Sequence, residues 1–311
     1  MPSAPAILIP HQGDSFYISH TIAQARQSNP DSRLILLGDD INRYYKGVEH
    51  YAYSDYFQTA REIGELYRHR NPVPRHAEWL RFCFQKWAFM RDFIKAHELE
   101  SCFIIDTDVL IFGDLVELRT ELAPWGLTVS RAQTGLITAT GALSLLQDVT
   151  LLDQMVDIMR EMFEPSSLSR ELDEDYLKHG GDSNPHNPAA VTEMIAIGLL
   201  YERNRDRVLN TCPSEYRGQQ AIDHNMGVET GWEMQDGLVR LYWENGRPYG
   251  LWLEDGEKIP FLGLHCGGKA KWQMKDWVRL SDPAIVRDWK RNRRSFTLHK
   301  YARKLRKKLP F

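Results

Sequence analysis

The first forty residues alternate between short apolar runs and polar breaks in the manner of a β-α-β unit. Ala6–Pro10 is an apolar run, and His11-Gln12-Gly13-Asp14 breaks it. Ser15–Gln27 has helical character and ends at Asn29-Pro30-Asp31-Ser32; Leu34–Leu37 then reads as a second buried strand, closed by Gly38-Asp39-Asp40. Two apolar strands joined through a helix lie parallel, with ligands bound beyond their carboxyl ends. Topology alone therefore marks His11–Gly13 and Gly38–Asp40 as candidate binding loops, against the plain alternative of ordinary strand-to-helix turns.

Further along, Trp79, Phe82, Cys83, Trp87, Met90, Phe93 and Ile94 recur at helical spacing and predict a long amphipathic helix over 76–97. Arg81 stands among those aromatics, where it either snorkels to solvent or reaches an anionic ligand. Residues 150–163 and 191–201 predict two more helices. The Ser-, Pro-, Asn- and Gly-rich stretch 165–190 reads as a long loop of the kind that serves as a lid or binding element. Leu238–Trp243, Tyr249–Leu253 and Ile259–Leu264, separated by Asn245-Gly246 and Asp255-Gly256, predict a β-meander whose last strand delivers His265. No internal repeat is evident.

Composition narrows the class. The chain has 311 residues, 42% hydrophobic and 26% charged, enough to bury a substantial core. No apolar run approaches the roughly 20 residues that cross a bilayer, and the first residues do not read as a secretory signal. Cys83, Cys102, Cys212 and Cys266 form no CxxC pair, so they read as reduced core thiols of a cytoplasmic protein. The net charge of −3 hides an asymmetry: residues 287–311 carry 11 of the 39 Lys and Arg and one acid, Asp288. The preceding residues hold 28 basic against 41 acidic groups, a net −13. A basic amphipathic tail over 281–311 behind an acidic domain over 1–280 suggests that the tail has its own partner. Apolar residues at 298, 301/302, 305 and 309 suit an anionic membrane surface; nucleic acid is the rival, and the acidic body argues against it.

The chemistry concentrates in two places. Phe103-Ile104-Ile105 is an apolar strand that runs into Asp106-Thr107-Asp108, and on an extended chain positions i and i+2 point to one side. Two unpaired carboxylates so placed repel, and a divalent cation relieves that repulsion while leaving positions open for diphosphate oxygens. The second place is His265-Cys266-Gly267-Gly268-Lys269-Ala270-Lys271-Trp272. It combines a metal-ligand type, a glycine pair that lets backbone approach an anion, and two lysines within seven residues. Solvated turns are the plain alternative for each stretch alone.

Together these features resemble a GT-A fold, DxD-containing, metal-dependent glycosyltransferase of bacterial type. The resemblance covers most of residues 6–275. It implies a Rossmann-like nucleotide-sugar-binding α/β fold, a mixed sheet flanked by helices, with the late β-meander and the basic helical tail appended. It further implies that Asp106, Asp108 and His265 ligate Mn²⁺ or Mg²⁺, with Asp106 also near the donor ribose. Gly268 and Lys271 would hold the diphosphate, while His11, Gln12, Gly13 and Asp39 border the nucleoside and Arg81 reaches the donor sugar or phosphates. The motif order is most like families that use UDP-sugars with retention of anomeric configuration, acting on a glycan or lipid-linked glycan. Such an enzyme would work in the cytoplasm at the inner face of the membrane, in polysaccharide or glycolipid synthesis.

Two departures stand out. Those families usually carry Lys-Pro-Trp, whereas Trp272 follows Lys271 directly. A carboxylate, often Asp, opens their acceptor-side helix, and here Glu193 takes that place, with Asp223 of Asp223-His224-Asn225 as a further catalytic candidate. The competing readings are another nucleotide-sugar enzyme, such as a nucleotidyltransferase, and a non-catalytic polybasic membrane- or nucleic-acid-binding protein. The N-terminal loop lacks the Gly-rich, basic run that a triphosphate-binding nucleotidyltransferase needs.

Overall fold

A strand covered on both faces needs a continuous apolar run rather than an alternating one. Ala6–Pro10 and Leu34–Gly38 are such runs, and every residue in them is buried. The computed structural model describes residues 4–131, 137–216, 218, 220–222 and 225–306, with side chains described to 302. In chain order its elements begin with β1 (Ala6–Pro10), α1 (Ile18–Ser28), β2 (Leu34–Gly38), β3 (Glu49–Ala52), α2 (Gln58–Leu66), α3 (Ala77–Ala96), β4 (Cys102–Ile105) and β5 (Val109–Ile111). Next come α4 (Leu115–Glu121), β6 (Leu127–Val129), β7 (Leu143–Leu146), α5 (Thr150–Phe163), α6 (Ser167–Lys178), α7 (Glu193–Arg203) and β8 (Val208–Asn210). The C-terminal part holds β9 (Met234–Gln235), β10 (Leu238–Val239), β11 (Tyr242–Glu244), β12 (Arg247–Leu251), β13 (Lys258–Pro260), β14 (Gly263–His265), α8 (Met274–Trp277) and α9 (Pro283–Arg306).

The expected mixed α/β architecture is present. A seven-stranded sheet runs in the order β3-β2-β1-β4-β7-β6-β8. The pairs β1–β2, β2–β3 and β6–β8 are parallel, while β6–β7 is antiparallel. The chain divides into two compact units: Met1–Ala52, Phe103–Leu122 and Thr211–Phe311 make the first, Tyr53–Cys102 and Ala123–Asn210 the second.

In the first unit, a core of Leu110, Met226, Trp232, Trp252, Phe261, Leu264 and Met274 lies behind the strand that carries His265. Trp232 packs edge-on to Trp252 at 5.1 Å and leans on Phe261 at 4.7 Å. The expected meander is realised in three shorter strands, β11-β12-β13. Asn245 and Gly246 both take positive φ (50° and 79°), as a two-residue hairpin turn requires. Two parts of the expected meander differ. Leu238-Val239 pairs back onto Met234-Gln235. Gly263–His265 separates from β13 to pair antiparallel with β5, His265 opposite Val109.

In the second unit, α3 presents buried Phe82, Phe84, Trp87, Phe89 and Phe93 around much of its circumference, so it is an interior helix more than a surface one. Gly141 is required where Trp87 packs: a Cβ there would stand 2.5 Å from the indole. The stretch 165–190 is not one long loop, because it contains α6. Ser166 caps that helix by accepting from the Ser169 N–H at 2.9 Å. Buried Arg70 anchors it, donating to Met162 O at 2.8 Å and Ser169 Oγ at 2.9 Å and pairing with Asp173 at 2.5 Å. All four cysteines are buried and free. Among the described residues, no helix is long and apolar enough to cross a membrane.

Candidate functional site

The carboxyl end of β4 is where the two carboxylates meet, and the local geometry is a tight turn rather than extended chain. The Val109 N–H donates to Asp106 O at 3.1 Å, closing a four-residue β-turn between β4 and β5. Thr107, between the acids, is buried and holds the turn in place. Its carbonyl accepts from Thr21 Oγ1 at 2.6 Å, and its hydroxyl lies 3.2 Å from His11 Nδ1. The β5–β14 pairing then brings His265 alongside, reinforced by the Cys266 N–H donating to Asp108 O at 2.8 Å. Ligand atoms of Asp106, Asp108 and His265 all fall within 4.8 Å of one another.

Asp108 is the electrostatic centre of this group. Its Oδ1 faces His265 Nε2 at 3.8 Å, and its Oδ2 accepts from the Lys271 ammonium at 3.0 Å. Burial alone would push the Asp108 carboxyl up, but His265 and Lys271 outweigh that and hold it below the usual carboxylate range. Burial likewise works to lower Lys271, yet Asp108, Tyr17 and Asp106 raise it, so it carries its charge. The ammonium also sits 5.1 Å over the Tyr17 ring. Lys269 plays no part here: its ammonium donates to Asp236 O at 2.6 Å. Gly268, at φ +57° and with open space where a Cβ would point, begins the short 3₁₀ turn that carries Lys271.

The two loops marked by topology are joined to each other. The Gly13 N–H donates to Asp39 Oδ2, and Asn42 Nδ2 donates to Gly13 O at 2.8 Å. Gly13 takes φ +78°, and Asp39 and Asn42 cap one another across a 3₁₀ turn. His11 is buried with its Nε2 bonded to nothing among the described residues. Burial lowers its pKa to about 4, partly offset by Asp39 and Asp108, so the ring is neutral at pH 7. Gln12 is exposed beside it.

Thus Asp106, Asp108, His265 and Lys271 come together in the first unit, with His11 in electrostatic reach and the Gly13–Asp39 link alongside. Arg81 and Glu193 belong to the second unit. Arg81 pairs with Glu78 one turn earlier on α3, and Glu193 is the first residue of α7. Both act on Tyr67, whose hydroxyl is pushed up to about 12 by burial, then Cys83, with Glu193 adding and Arg81 opposing. Asp223 and His224 lie outside the described residues. Their neighbour Asn225 forms a parallel bridge with His265, and its side chain lies against Gly267. Tyr17 and Thr107 are site neighbours that periodicity does not reveal. The only sequence signal for Thr107 is its place between two acids.

No protein-family model matches the chain, and no curated protein matches its sequence. Among solved structures it is similar to mouse xyloside xylosyltransferase 1 at 10% identity, covering 67% of this chain and 84% of that one with a TM-score of 0.46. It is similar to the glycosyltransferase GlyE of Streptococcus pneumoniae TIGR4 at 13% identity, TM-score 0.45, over 92% of this chain and 63% of that one. A third is the galactosyltransferase LgtC, solved with donor and acceptor sugar analogs: 11% identity, TM-score 0.44, over 91% and 99% of the two chains. Independently of these, a mixed sheet with an Asp-x-Asp turn at the end of β4 and His265 at the end of β14 is the arrangement that a GT-A fold implies.

Proposed function

We propose that this chain is a metal-dependent GT-A glycosyltransferase that moves a sugar from a nucleoside-diphosphate donor, UDP-linked, to a glycan or glycolipid hydroxyl. One observation carries the reading: Asp106, Asp108 and His265 converge to within 4.8 Å beside a charged lysine. Two carboxylates and an imidazole make a donor set suited to Mn²⁺ or Mg²⁺. The side chains are oriented by the turn at Thr107 and the β5–β14 pairing rather than by free rotation, which suits a preorganised ligand set.

A divalent cation held there would neutralise charge on the departing nucleoside diphosphate as the bond from the anomeric carbon to the phosphate oxygen breaks. Lys271 would share that charge from the Oδ2 side of Asp108, with the backbone at Gly268 lining the same anion. Such charge stabilisation is commonly the largest catalytic contribution, and losing one donor costs about 3–4 kcal/mol. His11 is neutral and its Nε2 is available, so it can meet a donor group without adding a charge. Glu193 and Asp223 are proposed for acceptor hydroxyls and Arg81 for the donor sugar, each on the sequence resemblance. Retention of configuration rests on the same ground, and NMR of the product's anomeric centre decides it.

The test is calorimetric titration of UDP into the full chain with Mn²⁺ and with EDTA. UDP binding is expected to require the metal. Asp108→Asn, which keeps the side-chain shape and removes the charge, is expected to weaken Mn²⁺ and metal-dependent UDP binding at least tenfold, about 1.4 kcal/mol or more, with unchanged circular dichroism. Wild-type metal-dependent binding in that variant removes the metal-site assignment. Binding of GDP in preference to UDP keeps the transferase and changes the donor.

A further inference from the structure

Beside the carboxylate cluster, in the same first unit, a groove of about 900 Å³ runs between α1, α8 and α9. One wall is aromatic: Phe16 and Trp272 stack at 4.6 Å with ring planes 18° apart. Trp272 is 67% exposed, and Leu298 farther along the groove is 68% exposed, so much apolar surface is left facing water. Cations line the groove as well: Lys275 on α8 beside Trp272, and Lys290, Arg293 and Arg294 on α9, where Phe296 and Leu298 add apolar lining. None of the four cations forms an ion pair among the described residues, and no acid lines the groove. Lys290 and Arg294 stand one helical turn apart, where like charges repel. Lys290 and Arg294 also border a second, smaller groove with Arg287 and Arg291 along α9.

A groove lined by an aromatic stack and by four cations without ion-pair partners complements a ligand with an apolar chain and an anionic head. Neutral glycans would leave the cations unmatched. Nucleic acid would be repelled by the net charge of −13 on the residues before 287. The position of the groove adds to the argument. Phe16 is the residue before Tyr17, whose ring lies under the Lys271 ammonium, and Trp272 is the residue after Lys271. Adjacent residues are about 3.8 Å apart along the chain, so a ligand seated against the stack ends next to the proposed diphosphate grip. We propose that this groove binds the phosphate-bearing head of an amphiphilic, lipid-linked acceptor and holds its sugar end toward the metal cluster. The proposal rests on the transferase reading for the word acceptor; the groove's affinity for an anionic amphiphile does not.

The experiment measures binding to the purified full chain, without requiring turnover. Dodecyl phosphate below its micellar concentration is the probe, with inorganic phosphate and neutral dodecyl maltoside as comparisons. Dodecyl phosphate is expected to bind at least tenfold more tightly than either. The double variant K290E/R294E reverses two exposed charges that lack ion-pair partners, so the fold is expected to be retained. It is expected to weaken dodecyl phosphate binding at least tenfold and leave Mn²⁺–UDP binding unchanged. Trp272→Ala, which removes one ring of the aromatic stack and keeps the cations, is expected to bring dodecyl phosphate down toward inorganic phosphate. Equal binding of inorganic phosphate in the wild type overturns the amphiphile, and equal binding of the maltoside overturns the anionic head. Undiminished binding in K290E/R294E overturns the groove. If UDP fails to bind while dodecyl phosphate binds as described, the transferase reading falls and the groove stands; the reverse pattern removes the groove alone.

Discussion

Lys271 and His265 address different oxygens of one carboxylate, and that division has thermodynamic consequences. Asp106, Asp108 and His265 would hold a divalent cation, and the same Asp108 carboxylate accepts from the Lys271 ammonium at 3.0 Å. The two positive charges repel unless a diphosphate stands between them, so metal and nucleotide should bind with positive coupling. Lys271→Met removes the repulsion and the anion contact together. Mn²⁺ alone is therefore expected to bind about tenfold more tightly to the variant, and UDP with Mn²⁺ about tenfold more weakly, since a charge-assisted contact is worth roughly 1.5–3 kcal/mol. Electron paramagnetic resonance of free Mn²⁺ with and without UDP reads both changes; a variant that weakens Mn²⁺ alone sinks the coupling. Asp106, Asp108, His265 and Lys271 were legible as residues because two acids follow an apolar strand and an imidazole, a glycine pair and lysines follow another within seven residues. Tyr17 and Thr107 were not, because an aromatic ring and a hydroxyl acquire their places only through tertiary contacts.

At the scale of elements, α9 shows what charge patterning reveals and what it conceals. The run of Lys and Arg predicts a helix with a solvated face, and α9 spans Pro283–Arg306. Its docking depends on three uncharged or aromatic residues. Asn292 is buried and exchanges hydrogen bonds with Lys46, accepting from its N–H at 2.8 Å and donating to its carbonyl at 3.0 Å. The Trp289 indole donates to His20 Nδ1 at 2.9 Å. Indole N–H is a donor only, so this bond needs an unprotonated Nδ1. Burial lowers the His20 pKa to about 4, with Arg293 adding to it. The unfolded imidazole titrates near 6.5, so between about 6.5 and 4 the unfolded form binds the extra proton. The native setting of His20, of which the docked α9 is one part, is therefore fully stabilising above pH 6.5 and loses up to about 3 kcal/mol as pH falls toward 4. Hydrogen exchange over 283–296, corrected for intrinsic rates, is expected to speed up between pH 7 and 4.5 and to lose that dependence in His20→Asn. Constant protection through that range would refute the role of His20. Long helices such as α3 and α5 were legible from their period. The two- and three-residue strands were not, because a strand so short takes its partner from packing rather than from its own sequence. That is how Gly263–His265 comes to pair with β5. The helix α6 was hidden by loop-like composition and is held by Arg70, a contact distant in sequence.

On the scale of the whole molecule, the chain passes between its two compact units several times, and this decides what ligand binding should report. The first unit gathers His11–Gly13, Asp39–Asn42, Asp106–Asp108 and His265–Lys271 from three separate stretches of sequence. Local pattern reveals the β-α-β start, but not this gathering, because parallel β1–β2 and antiparallel β5–β14 pairing both join segments far apart along the chain. A ligand at one hundred times its Kd stabilises what it binds by about 2.7 kcal/mol. Amides that exchange only when that structure opens should then slow by about 100-fold. UDP with Mn²⁺ is accordingly expected to slow exchange at those four segments and to leave α5 and α6 of the second unit unchanged. A sugar-bearing donor separates the remaining assignments. If Arg81 and Glu193 serve the sugar and the acceptor, protection spreads to α3 near Arg81 and to the start of α7 only when the donor carries its sugar. Protection of those helices by UDP alone would assign them to the nucleotide instead. Protection confined to the first unit with every donor would remove both residues from the catalytic set while leaving the metal cluster where it stands.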